Sequence, residues 1–391
     1  MGAQEWMKES IDEFFTRRQE PSQHECDQKA HALLQAKAVK PVEMQGSLSY
    51  TVIATTETII SFRVPESKLG NETESLAKYI HGDLVPQSAY HGKLGDEKND
   101  GKNLLIYTMP YLPGKAYLEI HPFGPQLSDT ALGKHVNFAR HLARYFARCW
   151  LKPQSVSSEV LQEAQENLKA KLNLLKGYEK YAFLHETIAE LEGENGVSYL
   201  FSKEYPQVLN HMDLSETNVL VDPESFAITG IIDWSLGAVK PFGYELCAPR
   251  RMSGVMSGAG WHDYCSREVS DSAFWDEFWH ATGIKEDQER SDIKRHSLLA
   301  SKLGWIMKFA FFKTLDGKPL GVRGKPTRYL SEWFGAGWSQ VRPVTEPAAE
   351  DAAPRTPEVY GENAEGQKAS AADLPPVVKA QDESTTDTTK G

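Results

Sequence analysis

The sequence predicts an α+β protein of two lobes, a small β-rich first lobe and a larger helical second lobe. The segment that begins at Gln45 is rich in β-branched residues, Tyr and Phe, which favour strands. Beyond Gly114, apolar residues recur at the three- and four-residue spacing of helices, interrupted by two short β-branched segments. With 391 residues, 40% of them hydrophobic, the chain is long enough to bury a sizeable core.

Residues 1–40 are predicted to form a helical extension ahead of the first lobe. Apolar side chains such as Ile11 and Phe14 lie among charged ones, and Pro21 separates two helical stretches. The change of pattern near Gln45 marks the end of this extension.

Residues 41–112 are predicted to form the first lobe. The run SLSYTVIATTETIISFRV has a polar break at residues 55–57 and predicts an antiparallel hairpin. Asn71 and Glu74 have the spacing of a capping box, which predicts a helix from Asn71 through Ile80. A further strand, NLLIYTM, then leads into the Pro-Gly linker PYLPG.

Residues 113–340 are predicted to form the helical second lobe. The segments ALGKHVNFARHLARYFARCW and VLQEAQENLKAKLNLLK carry helical apolar spacing. Between them and the C-terminal part, NVLVD and FAITGIID read as strands, and residues 223–225, Pro-Glu-Ser, read as the turn of a hairpin that joins them.

Residues 341–391 are predicted to be a disordered acidic tail. Pro, Ala, Glu, Asp and Thr dominate this segment, so it has too few large apolar residues to build a core. It contains five Lys or Arg and ten Asp or Glu, which accounts for about half of the net charge of -11.

Composition narrows the classes of partner and the compartment. The negative net charge, with no basic patch, argues against nucleic-acid binding. No run approaches the roughly 20 apolar residues of a membrane span, and the N-terminus does not have the pattern of a signal peptide. The four cysteines form no CxxC pair, which favours a reducing compartment. A cytoplasmic protein is expected.

One polar constellation carries recognisable chemistry. Residues 211–218 read H-x-D-x-x-x-x-N, and after the predicted hairpin residues 232–234 read Ile-Asp-Trp. Asp213 and Asn218 share one loop, and Asp233 returns at the end of the second strand. Phosphoryl transfer from ATP needs an oriented acceptor and magnesium ions on the phosphate oxygens, and a carboxylate base, an amide and a second carboxylate supply those parts. A chance spacing within an ordinary loop is the alternative.

This arrangement is similar to the aminoglycoside phosphotransferase and choline kinase-like family, and among its members to the fungal type. Protein kinases have the same order, H-R-D-x-x-x-x-N and then D-F-G, but here Met212 and Trp234 replace Arg and Phe, and no A-P-E-like motif follows. The resemblance covers about residues 45–338. It implies a bilobal protein kinase-like fold and an ATP- and Mg²⁺-dependent kinase that phosphorylates a hydroxyl or amine of a small molecule.

The resemblance also implies roles for the residues of the loop and strand end. Asp213 would be the catalytic base, and His211 would brace the loop. Asn218 and Asp233 would bind magnesium.

Matches for nucleotide binding in the first lobe are less specific. Gly46 and Ser47 lie where a phosphate-covering loop is expected, although an ordinary turn has the same composition. Arg63 takes the strand position of the cation that binds ATP phosphates, or is a surface-strand arginine. On the resemblance, Pro110 and Leu112 would meet adenine through a carbonyl and an N–H, unless the segment is a plain interlobe connection.

Two questions stay open at the level of sequence. The carboxylate partner expected for Arg63 is either Glu72 or Glu74. The acceptor molecule has no decipherable signature, but its pocket is expected from residues 240–265 and the helix near Trp305. The alternative function is a catalytically weak or inactive nucleotide-binding scaffold, which the arginine, the sparse glycine loop and a Ser after the IDW motif would favour.

Overall fold

A computed structural model describes residues 3–18, 20–95, 102–120, 127–258, 260–265, 267–313 and 319–335. The predicted acidic tail, residues 341–391, lies outside the described residues. The chain begins with two helices, α1 (Ala3–Arg18) and α2 (Gln23–Leu34). Ser22 caps α2 in a full capping box with Glu25.

A five-stranded antiparallel sheet follows, in the spatial order β1-β2-β3-β5-β4. Its strands are β1 (Lys40–Pro41), β2 (Ser49–Ile53), β3 (Thr58–Arg63), β4 (Ala89–Leu94) and β5 (Leu104–Pro110). The predicted hairpin is β2–β3, with Ser49 opposite Arg63. At its polar break, the backbone N–H of Thr55 bonds the carbonyl of Thr58 at 3.1 Å.

The two N-terminal helices pack on this sheet. Ile11 and Phe14 of α1 share one hydrophobic cluster with Tyr50 and Phe62 of the sheet, all of them buried. The Tyr50 hydroxyl donates to Asp27 Oδ1 of α2 at 2.8 Å. The extension therefore completes the core of the sheet on one side.

Helix α3 (Asn71–His81) lies in sequence between β3 and β4 and forms where the sequence predicts it. The expected capping box is wrong, because the N-cap is Gly70 and Glu74 is consequently the fourth helical residue rather than the third. Its carboxylate cannot reach back to the cap. Glu74 instead accepts hydrogen bonds from the hydroxyl and the backbone N–H of Ser88.

The described residues that follow β5 are mostly helical. The helices are α4 (Tyr117–Ile120), α5 (Asp129–Trp150), α6 (Ser158–Lys176), α7 (His185–Glu192), α8 (Val197–Leu200), α9 (Cys247–Arg251), α10 (Arg267–Thr282), α11 (Asp287–Phe309) and α12 (Arg328–Gly335). They enclose a large hydrophobic cluster around the buried side chains of Phe138, Trp234 and Trp305. In the described residues, no helix has the length and apolar character needed to cross a membrane.

Short strands are inserted among these helices. They are β6 (Lys115–Ala116), β7 (Gln207–Asn210), β8 (Val219–Val221), β9 (Ile228–Ile231), β10 (Ala238–Pro241), β11 (Gly254–Ser257), β12 (Gly260–Asp263), β13 (Phe311–Lys313) and β14 (Pro319–Val322). Strands β6, β8 and β9 form one sheet, and β7 pairs with β10. The predicted hairpin at residues 223–225 is the β8–β9 connection.

Candidate active site

The β8–β9 hairpin brings Asn218 and Asp233 to the same end of two paired strands. Val219 lies opposite Ile231, and the backbone N–H of Ile232 donates to the carbonyl of Asn218 at 3.0 Å. Asn218 is the residue just before β8, and Asp233 is the second residue after β9. Strand pairing, which depends on the hydrophobic pattern of both strands, therefore sets the spacing of these two polar residues.

Asp213 joins this end of the hairpin through Asn218. The Asn218 amide Nδ2 donates to the Asp213 carbonyl at 2.9 Å and to its carboxylate Oδ2 at 3.4 Å. The Asp213 side chain is 43% exposed, so solvent and small molecules reach it. The structure thus gathers the three polar residues of the sequence motif around one loop and one strand end.

His211 lies beneath the loop and is fully buried. Its Nε2 bonds the carbonyl of Ile232 at 2.8 Å, and its Nδ1 accepts the backbone N–H of Asp213 at 3.3 Å. The imidazole also packs against the Trp234 ring, with the centroids 4.7 Å apart. One ring therefore contacts both the loop and the strand end.

Two residues of the site have left-handed backbone conformations. The φ angles of Met212 and Asp233 are 68° and 63°. Asp adopts this region more readily than most residues, whereas Met pays a steric cost there because its Cβ approaches the backbone carbonyl. Such conformations persist only where surrounding contacts hold them, and they concentrate at functional sites.

Glu245 supplies much of that support, and sequence reasoning missed it. Its carboxylate accepts the backbone N–H of His211 at 2.8 Å and that of Leu214 at 3.0 Å, on either side of the strained residue. Burial raises the pKa of the Glu245 carboxyl, although the charge of His211 and the hydrogen bonds from the loop oppose that rise. Arg251 adds a bond to the Leu214 carbonyl at 3.2 Å. Neither Glu245 nor Arg251 is part of a motif with a recognisable spacing in the sequence.

Arg63 of β3 reaches the site from the sheet. Its Nη2 lies 2.7 Å from Asp233 Oδ1, and the Ser235 hydroxyl donates to the same oxygen at 2.8 Å. Burial alone would raise the pKa of the Asp233 carboxyl, but the Arg63 charge, the Ser235 hydrogen bond and the charge of His211 hold it below its ordinary value. Asp233 is therefore ionised at neutral pH.

The expected partner of Arg63 on α3 is not found. Glu72 is exposed, and Glu74 is buried against Ser88. Among the described residues, the ion pair of Arg63 is with Asp233. Burial raises the pKa of Glu74, and the Ser88 hydrogen bonds and the nearby Arg63 charge only partly offset it.

Gly46 and Ser47 lie in the exposed turn between β1 and β2. The buried Gln45 side chain shapes this turn, because its amide donates to the Thr51 carbonyl at 2.8 Å and accepts the Thr51 N–H at 2.9 Å. No hydrogen bond or ion pair within the described ranges joins Gly46 or Ser47 to the Asp213 loop. The structure therefore shows a turn at Gly46 and Ser47, and a role of this turn in covering phosphates stays a prediction.

Pro110 and Leu112 lie where the sheet passes into the helical part. Pro110 ends β5 opposite Thr58 of β3. Leu112 packs onto the β8–β9 hairpin so closely that a Cβ at Gly230 would lie 2.7 Å from its Cδ1. The linker therefore contacts the same hairpin that carries Asn218 and Asp233.

A cavity lies behind the Asp213 loop. Its volume is small, about 20 Å³, and its wall includes Met212, Leu214, Glu245, Trp305 and Lys308. These residues come from the loop and from the two segments expected to build the acceptor pocket. The Nε1 of Trp305 is buried and has no hydrogen-bond partner among the described residues.

Sequence comparison places residues 66–284 in the phosphotransferase enzyme family, APH. That match covers more than half of the chain. The chain belongs to this family. The matched part of the APH protein contains the Asp213 loop, the β8–β9 hairpin and Glu245, whereas Arg63 and Lys308 lie outside it. A comparison with curated proteins gives no match.

Several solved structures are similar to this APH family member at low identity. The GDP complex of wild-type aminoglycoside 2'-phosphotransferase-IIIa is 15% identical, with 73% of this chain and 91% of that chain covered and a TM-score of 0.44. Aminoglycoside-3'-phosphotransferase of type VIII is 19% identical, with coverage of 70% and 98% and a TM-score of 0.41. A putative aminoglycoside phosphotransferase from Ralstonia eutropha is 13% identical, with coverage of 72% and 89% and a TM-score of 0.45.

The predicted family membership is confirmed by the APH match. The predicted α+β fold, protein kinase-like with an N-terminal sheet and a mainly helical C-terminal part, is confirmed by that match and by the order of elements.

Proposed function

We propose that this protein is an ATP- and Mg²⁺-dependent phosphotransferase that acts on a hydroxyl or amine of a small molecule. One observation carries the proposal: Asn218 bonds Asp213 through its amide and Ile232, the neighbour of Asp233, through its carbonyl, so all three polar residues lie at one end of the β8–β9 hairpin. Asp213 is exposed enough to accept a proton from an incoming acceptor, and the other two are suited to a metal.

The donor atoms fit magnesium. The side-chain hydrogen bonds that Asp233 accepts from other described residues go to Oδ1, so its Oδ2 is the oxygen proposed to bind a cation. The Asn218 amide donates through Nδ2, which leaves its carbonyl oxygen as a ligand. The described residues contain no cluster of three or more His, Cys, Asp or Glu that could hold a metal. Mg²⁺ suits such a site, since it takes one or two carboxylates and completes its shell with phosphates and water.

Residues of the sheet and linker would bind the nucleotide. Arg63 would exchange Asp233 for the ATP phosphates, since a guanidinium binds phosphate oxygens well. Gly46 and Ser47 would cover the phosphates, and the Pro110 carbonyl and Leu112 N–H would meet adenine. In this proposal ATP would lie between a nucleotide-binding lobe of residues 41–112 and a catalytic lobe of residues 113–340, and the protein would be cytoplasmic.

The test is ADP release from Mg-ATP across a broad panel of small hydroxyl and amine compounds. We expect Asp213→Asn to lower turnover by about 10²- to 10⁴-fold, because the variant keeps the shape of the side chain and cannot accept the proton. ATP affinity, measured by calorimetry, should stay within about twofold. Wild-type protein that binds Mg-ATP and releases no ADP with any compound would contradict the proposal.

A second variant tests the metal site separately. Asp233→Ala should weaken Mg-ATP binding about tenfold or more, because it removes a carboxylate ligand of the ion. Asp222→Ala is the control. It removes a carboxylate that bonds Ser225 in the turn at the other end of the hairpin, and it should leave the Mg-ATP affinity unchanged. Equal affinities for the wild type and Asp233→Ala would remove Asp233 from the metal site.

An inactive nucleotide-binding protein is the second candidate. It is favoured by the Arg63–Asp233 ion pair, which occupies one oxygen of the proposed metal ligand, and by Ser235, which donates to that same oxygen. In this case nucleotide would bind with an affinity that does not depend on Mg²⁺. Titrations of ATP with and without the metal separate the two candidates.

A further inference from the structure

Lys308, in the last turn of α11, bonds the proposed catalytic base. Its Nζ lies 3.2 Å from Asp213 Oδ1, although 95 residues separate the two in sequence. The lysine lies beyond residues 66–284, so the family match does not include it. Burial raises the pKa of Glu245, and the Lys308 charge is one of the contributions that partly oppose this rise.

A comparison on the same helix shows what is particular about this lysine. Lys302 also forms an ion pair, with Glu190, and the two lysine side chains are similarly shielded, 18% and 15% exposed. Such pairs near the surface contribute little to stability. The difference is the partner, because Lys302 binds a surface glutamate and Lys308 binds the carboxylate at the site.

The two oxygens of Asp213 are held by different donors. Lys308 binds Oδ1 and the Asn218 amide binds Oδ2. The backbone is fixed separately, by Glu245 on both sides of Met212. Glu245 thus fixes the position of the loop, and the two side-chain donors fix the rotation of the carboxylate. A carboxylate base accepts a proton efficiently only when one of its oxygens faces the hydroxyl of the acceptor molecule within hydrogen-bond distance.

We propose that Lys308 is a positioning residue for phosphoryl transfer, which holds the Asp213 carboxylate in the orientation that receives the acceptor's proton. This role rests on the proposed function. Lys308 also lies in the wall of the cavity behind the loop, together with Met212 and Leu214, the two neighbours of Asp213 in sequence.

The test measures kcat and KM for Mg-ATP in ADP release, with water or any acceptor found in the panel. Lys308→Met keeps the length of the side chain and removes the charge. It should lower kcat about 10- to 100-fold, since small misplacements of a reacting group cost that much, while KM for ATP stays within about twofold. Lys308→Arg should recover most of the loss, to within about fivefold of the wild type, because a cation can again bind Oδ1.

Lys302→Met is the matched control and should leave both constants within about twofold. A Lys308→Met variant with wild-type kcat would overturn the positioning role and leave the proposed function intact. So would a fall in kcat that Lys302→Met shares or that Lys308→Arg does not relieve, because a merely structural role gives that result. Wild-type protein that binds Mg-ATP without any ADP release overturns the proposed function, and the role of Lys308 with it.

Discussion

His81 shows how packing at one residue controls protonation. Its ring stacks with those of Tyr145 and Trp234, at centroid distances of 4.3 and 5.6 Å, and its Nδ1 has no partner among the described residues. Burial lowers the pKa of His81 from 6.5 to about 3, and the charge of Arg148 adds to this effect. The folded protein therefore holds the ring neutral, whereas the unfolded chain takes up a proton below pH 6.5.

Because the folded pKa is depressed, this histidine contributes stability above its unfolded pKa that is lost as pH falls. Between pH 7.5 and pH 5 the loss amounts to about 2 kcal/mol from this group. We expect His81→Phe to keep the stacking, to change stability at pH 7.5 by less than about 1 kcal/mol, and to remove that part of the acid-side decline. Urea unfolding at the two pH values measures it, and an unchanged decline would contradict the assignment.

At this scale the sequence predicts contacts that are close along the chain and misses those that are distant. Asp213 and Asn218 are recognisable because a fixed spacing within one loop carries their chemistry. The contacts that Lys308 and Glu245 make with the loop, and the choice of Asp233 as the partner of Arg63, depend on how separate segments pack. The hydrophobic periodicity of the sequence does not predict which distant segments pack together, so these contacts could be identified only from the structure.

Gly114 lies at the junction of the linker and β6 and has a backbone conformation that favours glycine. Its φ is 106°, and a Cβ there would lie 2.7 Å from the Val221 carbonyl oxygen. Only glycine satisfies both conditions without strain. The residue thus allows the linker to lie directly on the hairpin that carries the site.

We expect Gly114→Ala to destabilise the protein by about 2 kcal/mol or more, through the left-handed backbone and the close contact together. Gly133→Ala provides the control, because this exposed glycine lies within α5 and a Cβ there would contact nothing within 4 Å. That substitution should stabilise by about 0.5–1 kcal/mol. Opposite signs in urea unfolding would support the assignment, and equal effects would refute it.

Elements with a long repeating pattern were predictable, whereas most short ones were not; the short β8–β9 hairpin is an exception, because β-branched residues flank a recognisable turn. The 22 residues of α5 and the β2–β3 hairpin repeat their apolar spacing often enough to be recognised. Strands β6 and β10 to β14 have two to four residues each, too few to show alternation. Their existence depends on the pairing partner, which is why residues 240–265 showed no interpretable pattern.

The described part of the chain has two main hydrophobic cores, one in the helical part and one between the sheet and the N-terminal helices. Phe14 of α1 belongs to the second core and is 4% exposed. Phe14→Ala should therefore cost about 3–5 kcal/mol, measured by urea unfolding, because it leaves a cavity under the sheet. Leu174→Ala, at a 48% exposed position of α6, should cost less than about 1 kcal/mol. Similar losses would mean that α1 does not stabilise the sheet.

The ion pair between Arg63 and Asp233 joins the sheet to the hairpin across 170 residues of sequence. In the proposed reaction a nucleotide must separate these two side chains. Its phosphates can replace the aspartate at the guanidinium, but bare triphosphate would then face an uncompensated carboxylate of like charge. In the Mg²⁺ complex of ATP, the phosphates can bind Arg63 while the metal ion binds Asp233, so each side chain gains a new partner of opposite charge. The resting contact should therefore discriminate against free ATP, so that the chelated form is the true substrate.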